Sequence, residues 1–201
     1  MKFAPFVLLI LAVISFVGRK WRQSRPHPTS QSEAAPADMD DRAVRSSALH
    51  HRDWQVRAQA VKALGERRSI DAIPDMAAKL KDEDHDVREA ARQALEMMGS
   101  PAVPALLEML QDGDVQARAL AARALGALGD VSARDGLVEA LADKSLWVRA
   151  PAAESLGSLR DASAVPALVN ALRDPEAEVQ QAAAAALRQI GTAEALAALK
   201  R

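Results

Sequence analysis

Hydrophobic and polar positions along most of this chain follow the spacing of amphipathic helices. Between residues 71 and 97 the pattern separates into two helices, A and B, joined by a short polar turn. The apolar positions of helix A are Ile73, Met76, Ala77 and Leu80. Those of helix B are Val87, Ala91, Ala94, Leu95 and Met98. Because residues three and four apart share one face of a helix, each helix is predicted to bury one stripe.

Polar residues, prolines and glycines mark the ends of these two helices. Pro74 lies in the first turn of helix A, where no intrahelical N–H bond is lost. Asp84 is the predicted N-cap of helix B, and Gly99 is its predicted end. The helix A proline recurs as Pro104 and Pro166, and the cap recurs as Asp53, Asp114 and Ser145.

The two-helix unit recurs five times along the chain. The aligned units carry Leu49, Leu80, Leu110, Leu141 and Leu172, which are 31, 30, 31 and 31 residues apart. Most units close helix B with an Ala-Leu pair, as in Ala124-Leu125-Gly126. A fixed period of this size indicates a solenoid, because each unit buries its apolar face only by stacking on its neighbours. We therefore expect one helical array over residues 38–201.

These residues resemble HEAT repeats, in particular the short repeats of phycobilisome-lyase-like proteins, over about residues 39–201. The helix A proline, the Asp five residues before a Val-Arg pair and the Ala-Leu-Gly close of helix B carry the resemblance. It implies an all-α, right-handed α-solenoid of about five two-helix, armadillo-like repeats. It implies little about activity, because the family includes scaffolds, chromophore lyase subunits, metal-dependent hydroxylases and DNA-binding modules.

The resemblance also gives a structural role to an Asp and an Arg that lie six residues apart in three units. In the family these positions form a ladder of hydrogen bonds between adjacent repeats, as suits a charge pair that recurs from unit to unit. The expected ladder residues are Asp82, Arg88, Asp112, Arg118, Asp143 and Arg149. The ladder should fray at its ends, where His51 replaces the Asp and Gln180 replaces the Arg.

The start of the chain has a different, nearly continuous apolar pattern. Residues 3–17 are apolar except for Ser15, and a basic cluster with Trp21 follows them. A helix here would span about 24 Å, and snorkelling basic side chains would extend it toward the roughly 30 Å hydrocarbon core. No A-x-A-like cleavage site precedes the basic cluster, which favours an uncleaved anchor over a signal peptide. We expect an anchor at residues 1–22, in the membrane through residues 3–18, and a Pro- and Ser-containing flexible linker at residues 23–37.

Flanking charge predicts the orientation of the anchor. Four basic residues follow the apolar segment and one precedes it. Because basic residues concentrate on the cytoplasmic side, we expect a single-pass protein of the cell membrane with its repeats in the cytoplasm. The alternative is export after cleavage of a signal peptide.

Charge and composition narrow the function. Residues 1–37 carry +4, which leaves −5 for residues 38–201, since the whole chain carries −1. This acidic domain disfavours nucleic acid as a partner. The absence of Cys excludes thiolate metal sites and a cysteine nucleophile. The sequence also has no Gly-rich phosphate loop, G-x-S-x-G or H-E-x-x-H motif.

Three histidines are candidates for a metal site. His50, His51 and His85 could approach one another beside Asp84 and Asp86. The hydroxylase relatives use His-Glu pairs in several repeats, and no His-Glu dipeptide occurs here. We therefore expect no catalytic residues, no metal and no cofactor, and classify the chain as a non-enzyme.

The resemblance places helix B on the concave face of the array. Counting 100° per residue from the buried Val puts three positions of each helix B on the open side. This row is mixed in sign, and Trp147 is its one large apolar member, either a binding anchor or a side chain packed over the repeat junction. Trp54 is expected to pack. The candidate partner-binding residues are Trp147, Lys62, Glu89, Arg123, Glu154 and Gln181.

Two functions follow as hypotheses. The first is a membrane-tethered, monomeric scaffold or adaptor that binds a protein partner on the concave face. The second is a non-catalytic accessory subunit of an enzyme, such as a phycobilin-lyase-like complex, which only the family resemblance suggests.

Three further features carry structural expectations. Pro151 lies inside helix B of the fourth unit, where a lost hydrogen bond predicts a bend or a shifted helix start that would turn Trp147. Thr192 is the predicted cap of a last helix A, whose Leu196 and Leu199 would cover the fifth unit. Residues 39–49 are predicted to form a first helix with a polar outer face.

Overall fold

The structure is a computed structural model that describes residues 39–200, and in this range it contains helices and turns but no strand. Eleven α-helices follow one another within residues 39–200: α1 (Asp41–Ser46), α2 (Trp54–Glu66), α3 (Ile73–Ala78), α4 (His85–Met98), α5 (Val103–Met109), α6 (Val115–Leu128), α7 (Arg134–Ala140), α8 (Leu146–Leu159), α9 (Val165–Ala171), α10 (Ala177–Ile190) and α11 (Ala193–Ala198). The predicted anchor and linker lie outside these residues. Across residues 39–200, every helix is too short or too polar to cross a bilayer.

The helices form five A–B pairs, with odd numbers for helices A and even numbers for helices B. They stack in sequence order, so the predicted all-helical solenoid is confirmed. The predicted helix A at residues 71–81 is a short α-helix, α3, between 3-10 turns at Ile70–Ala72 and Lys79–Lys81. Pro74 lacks an N–H to donate to the turn before it, and that turn instead closes through the bond from Ile73 N–H to the Ile70 carbonyl.

The first helix is also shorter than predicted. Residues 39–49 do not form one helix, because α1 ends at Ser46 and a separate 3-10 turn spans Ala48–His50. Asp40 caps α1 by accepting a hydrogen bond from Ala43 N–H at 2.7 Å. The buried side chains Val44 and Leu49 nevertheless close this end of the core.

Aspartates begin three of the five helices B found in residues 39–200. The side chains of Asp53, Asp84 and Asp114 accept backbone N–H bonds at 2.8, 2.9 and 2.9 Å, which confirms them as N-caps. The prediction for Ser145 is wrong, because its side chain makes no cap bond. The Ser145 N–H donates to the Asp143 carboxylate at 2.8 Å, as the N–H groups of Asp84 and Asp114 donate to Asp82 and Asp112.

The core is a continuous aliphatic seam along the stacked pairs. A leucine in the same register of each helix B is less than 2% exposed: Leu64, Leu95, Leu125, Leu156 and Leu187. Burying one such side chain stabilises the fold by about 1.5 to 3 kcal/mol. Trp54 lies half-buried against this seam, in agreement with its expected packing role.

Consecutive helices B touch at glycines in three junctions of the described array. A Cβ on each glycine would lie within 3 Å of an atom of the next helix B. The pairs are Gly65 with Ala94, Gly126 with Ser155, and Gly157 with Ala186. Consecutive helices A approach each other much less closely. The helices B are therefore the more closely packed layer of the array, and their placement on a concave side stays a prediction.

Helix α8 passes through Pro151 without interruption. It runs from Leu146 to Leu159 and begins at the same position after its cap as α6 does, so the predicted shift of the helix start is wrong, and the alternative of a bend at Pro151 stays a prediction. Pro151 is buried, and α8 packs closely against α6 and α10. We attribute the regular start to this packing, which offsets the single hydrogen bond that proline removes.

Helix α11 covers the last pair in a different way from that predicted. The Thr192 side chain accepts from Ala195 N–H at 3.2 Å, which confirms the cap. Leu196, however, is 43% exposed, so the prediction that it covers the fifth unit is wrong. The helix begins at Ala193 and turns Ala195 inward, where it is fully buried, while Leu199 is half-buried.

Candidate partner-binding surface

The candidate surface is the exposed side of the helices B, which we call the inner surface. It comprises the residues two, five and nine positions after each cap. Trp147 holds the first of these positions in α8 and is 66% exposed. Its indole therefore projects into solvent instead of folding over the repeat junction. This exposure is the greatest among the large apolar side chains exposed in residues 39–200.

The residues around Trp147 are small or polar. Ala150, half-buried, lies three residues after it on α8, and Ala119, 9% exposed, occupies the register of Ala150 in α6. Gln116 and Glu178 occupy the position of Trp147 in the neighbouring helices B, and both are exposed. A single exposed aromatic ring among small side chains, with polar residues around it, is an arrangement typical of protein interfaces.

The other candidate residues differ in how free they are to bind. Arg123, Glu154 and Gln181 are exposed. Lys62 is also exposed and lies 3.7 Å from the Glu66 carboxylate on its own helix, too weak a pair to hold it. Glu89 is half-buried in an ion pair with Arg92, so it is the least available of the six.

The ladder residues lie at the turn between helices A and B. Arg118 donates from Nε and Nη2 to the two carboxylate oxygens of Asp143 in the next repeat, at 2.7 and 3.0 Å. Its Nη1 donates to the Asp112 carbonyl of its own repeat at 2.8 Å. Within its own repeat, Arg118 thus bonds to the main-chain carbonyl of Asp112, the residue six positions earlier. The Asp143 carboxylate is bound by Arg118 of the preceding repeat.

Two ladder residues, Arg57 and Asp174, were not predicted from the sequence. Arg57 binds the Asp82 carboxylate at 2.9 and 2.8 Å, and Arg149 binds that of Asp174 at 2.8 and 2.9 Å. The aligned units contain the signal for both, because Arg57 and Asp174 occupy the ladder positions of the first and fifth repeats. At the end of the ladder, the Gln180 side chain donates to the Asp174 carbonyl at 2.6 Å.

These pairs shift the pKa values of both partners. The hydrogen bond from Arg149 lowers the pKa of Asp174, and burial opposes this effect without reversing it. The hydrogen bond to Asp143 raises the pKa of Arg118. The ladder carboxylates therefore stay ionised at neutral pH.

One expected rung is replaced in this part of the chain. Arg88 donates to the Asp82 and Glu83 carbonyls at 2.7 and 3.0 Å, but no bond from it to Asp112 is found within residues 39–200. The Asp112 carboxylate accepts instead from Lys81 Nζ at 2.9 Å. A single bond from a flexible lysine thus stands where the other rungs have a two-bond arginine fork.

Of the three candidate histidines, His51 has a structural role in the turn before α2. His51 Nδ1 accepts from Asp53 N–H at 3.0 Å and so shapes the turn before α2. His50 and His51 line an open groove of about 570 Å³ with Lys81 and Asp82. Between residues 39 and 200, no three His, Asp or Glu side chains are grouped closely enough to hold a metal ion.

The sequence matches a known family of helical repeats, in agreement with the repeats in the structure. A model described as HEAT repeats matches residues 43–126, 103–176 and 135–201, which together span well over half of the chain. The phycocyanobilin lyase subunit alpha of Synechococcus elongatus is 46% identical over 61 residues. This match covers 30% of the present chain and 22% of that protein, so it concerns about a fifth of the relative.

Solved structures show the same architecture. A chain in the complex of CpcE and CpcF of phycocyanin lyase from a Nostoc species superposes with a TM-score of 0.60 and 27% identity. This superposition covers 65% of the present chain and 88% of the other. An engineered protein superposes with a TM-score of 0.51 and 25% identity over 81% of this chain and 85% of its own.

Proposed function

The chain belongs to the HEAT-repeat family, and we propose that it is a scaffold that binds a protein partner on the inner surface of its helices B. The observation that carries this proposal is the 66% exposure of Trp147 on that surface. An indole ring exposed to water favours association, because binding removes its apolar surface from water. Tryptophans at the centre of interfaces often dominate the binding energy. The exposed charges of Lys62, Arg123 and Glu154 would select the partner more than strengthen its binding.

The comparisons support a partner that is itself a protein. The structure from the Nostoc species is a complex of two chains, CpcE and CpcF, of a lyase. The present chain shares the fold of one of them over most of its repeats. The acidic repeat region, at −5 for residues 38–201, argues against a nucleic acid on the inner surface.

We further propose that residues 1–22 tether the repeats to the cell membrane, with the repeats in the cytoplasm. The support is the apolar run of residues 3–17 and the four basic residues that follow it. Membrane fractionation at high salt and alkaline pH tests the tether. Recovery of the full-length chain in the soluble fraction under gentle lysis would contradict it.

Site-specific photocrosslinking in intact cells tests the inner surface. A photoreactive amino acid replaces Trp147, and in a matched control it replaces Asn170, an exposed residue of helix α9 on the A side. We expect one protein to be crosslinked from position 147 and not from position 170. Free Trp147→Ala chain, present in excess, should compete for that protein less well than free native chain. Equal crosslinking from both positions would contradict a site on the inner surface.

A second candidate function is a non-catalytic accessory subunit of a lyase complex. Its support is the 46% identity with the phycocyanobilin lyase subunit over 61 residues. The absorbance of chain purified from cells that make tetrapyrroles separates the two functions. A bound tetrapyrrole favours the accessory subunit, whereas a colourless chain that crosslinks a protein from position 147 favours the scaffold.

A further inference from the structure

The junction between the second and third repeats differs from the other three junctions within residues 39–200. Each helix B has a stripe at positions one, five, eight and twelve after its cap. In α6 the stripe is Val115, Ala119, Ala122 and Gly126, and the stripes of α2 and α8 are likewise small or apolar. In α4 the same positions hold His85, Glu89, Arg92 and Glu96.

This stripe faces the next helix B. The last position of the stripe in α2, Gly65, touches Ala94 of α4, and in α6 Gly126 touches Ser155 of α8. Ala124 of α6 occupies the same register as Ala94 and Ser155. In the second repeat Glu96 therefore stands where the other junctions have a glycine, and a side chain at this position leaves no room for the close contact that glycine allows.

The observed packing follows from this substitution. Helices α4 and α6 come close over a much smaller part of their length than the other consecutive helices B. Contact passes instead between α3 and α5 on the A side, and between the turn at Lys79–Lys81 and α6. The junction is thus held mainly through its helices A and the turn at Lys79–Lys81, with less close packing between its helices B.

The charged stripe forms its bonds within α4. Arg92 donates to both carboxylate oxygens of Glu89, at 3.0 and 2.5 Å, and also to Glu96. The three side chains are between 21% and 35% exposed. Because they are paired within one helix, these side chains satisfy one another without tying α4 to α6. In the corresponding part of α6, the residue with a large apolar side chain is Leu120, which is 9% exposed.

Two further connections differ at the same junction. The arginine fork is replaced by the bond from Lys81, whose side chain is 43% exposed, to Asp112. The connector from α4 to the next helix A is one residue shorter, as the 30-residue spacing between Leu80 and Leu110 shows. It turns at Gly99, whose φ is +72° and ψ is −152°, a conformation that residues with side chains avoid.

We propose that this junction is a hinge that divides the array into two blocks, the first and second repeats and the third to fifth repeats. In repeat proteins, neighbours are coupled only through their shared interface, so the junction with the least inner packing is where the array bends. Motion there opens and closes the inner surface between Gln93 and Arg123. The hinge changes the shape of the inner surface that carries Trp147 without changing either block.

Distances between spin labels test the hinge directly, because the chain has no native Cys. Labels on Gln93→Cys and Glu154→Cys span the proposed hinge, and labels on Arg123→Cys and Ala185→Cys form the matched control. All four residues are exposed and lie nine positions after their caps, and each pair is two repeats apart, about 20 Å. In the full chain in detergent, we expect the distance distribution across the hinge to be about twofold broader than the control.

A variant that restores the small stripe tests the cause. Glu89→Ala, Arg92→Ala and Glu96→Gly give α4 the residues that α6 has at the same positions. We expect the distribution across the hinge to shorten and narrow to the control width. If the hinge and control distributions were equally wide in the chain with its native stripe, the hinge would be overturned. That comparison does not depend on whether the variant folds. A distribution that stays broad in a folded variant would overturn the role of the charged stripe.

Discussion

Gly126 and Ser155 lie in direct contact across the junction of the third and fourth repeats. A Cβ on Gly126 would be 2.8 Å from Ser155 Cα, closer than side chains approach a backbone. The Ser155 hydroxyl donates to the Ala122 carbonyl at 2.8 Å, one turn before the glycine. A backbone-to-backbone contact and a buried hydrogen bond thus fix the spacing of α6 and α8 together.

Gly126→Ala is expected to destabilise the array, although alanine is the better helix former. The added methyl group would force α6 and α8 apart, and overpacking of this kind costs about 1 to 3 kcal/mol. The gain in helix propensity, about 1 kcal/mol, offsets only part of that cost. Urea unfolding followed by circular dichroism measures the net loss. Gly113→Ala is the control, because a Cβ on Gly113 meets nothing within 4 Å. An equal or higher stability of Gly126→Ala would contradict the close contact.

Arginines in the same register should differ in their contribution to stability. Arg118→Ala leaves the Asp143 carboxylate, 12% exposed, without its two-bond partner, and we expect a loss of about 3 kcal/mol. Arg88→Ala removes only bonds to two carbonyls and should cost about 1 kcal/mol. Both values come from denaturant unfolding of the full chain. Equal losses would mean that the rung at Arg88 exists in solution.

Much of the fold is predictable from local signals. The five repeats and the caps at Asp53, Asp84 and Asp114 follow from periodicity and from residues a few positions apart. The missing cap bond at Ser145 is not predictable in this way, because serine is a favoured cap residue and its position in the repeat matches that of the aspartate caps. The regular start of α8, despite Pro151, likewise depends on packing between repeats, which no local pattern states.

The candidate surface was less predictable than the fold. The exposed positions follow from 100° per residue, and Trp147 is exposed as that count requires. The pairing of Glu89 with Arg92 depends instead on side-chain geometry along the helix, as does the weak junction after α4. Glu96 in place of a glycine and one spacing of 30 residues were visible signals. Their effect depends on the distance between helices, which the sequence does not state.

Acid should weaken the outermost arginine rung in a defined pH range. The hydrogen bond from Arg149 lowers the pKa of Asp174 in the folded state. The pair therefore contributes fully above the ordinary Asp pKa of about 3.9, and its contribution is lost as the pH falls through the lower folded-state value. At neutral pH we expect Asp174→Asn to cost about 2 to 3 kcal/mol, because both side chains of the pair are at most 12% exposed. Below about pH 4 the variant and the native chain should converge in unfolding free energy. A difference that stays constant down to pH 2 would show that the charge of Asp174 is not what stabilises the rung.

Trp147 and Trp54 provide the sharpest comparison between binding and packing. Trp147 is 66% exposed, so Trp147→Ala should change the unfolding free energy by no more than about 0.5 kcal/mol. Trp54 is half-buried against the aliphatic seam, and Trp54→Ala should cost about 2 to 3 kcal/mol because it leaves a cavity there. Thermal and urea unfolding of the two variants measure this difference. For the protein crosslinked from position 147, Trp147→Ala should raise the Kd about 30-fold, the equivalent of a hot-spot loss of about 2 kcal/mol. A large loss of stability together with unchanged affinity would assign Trp147 to packing and remove it from the binding surface.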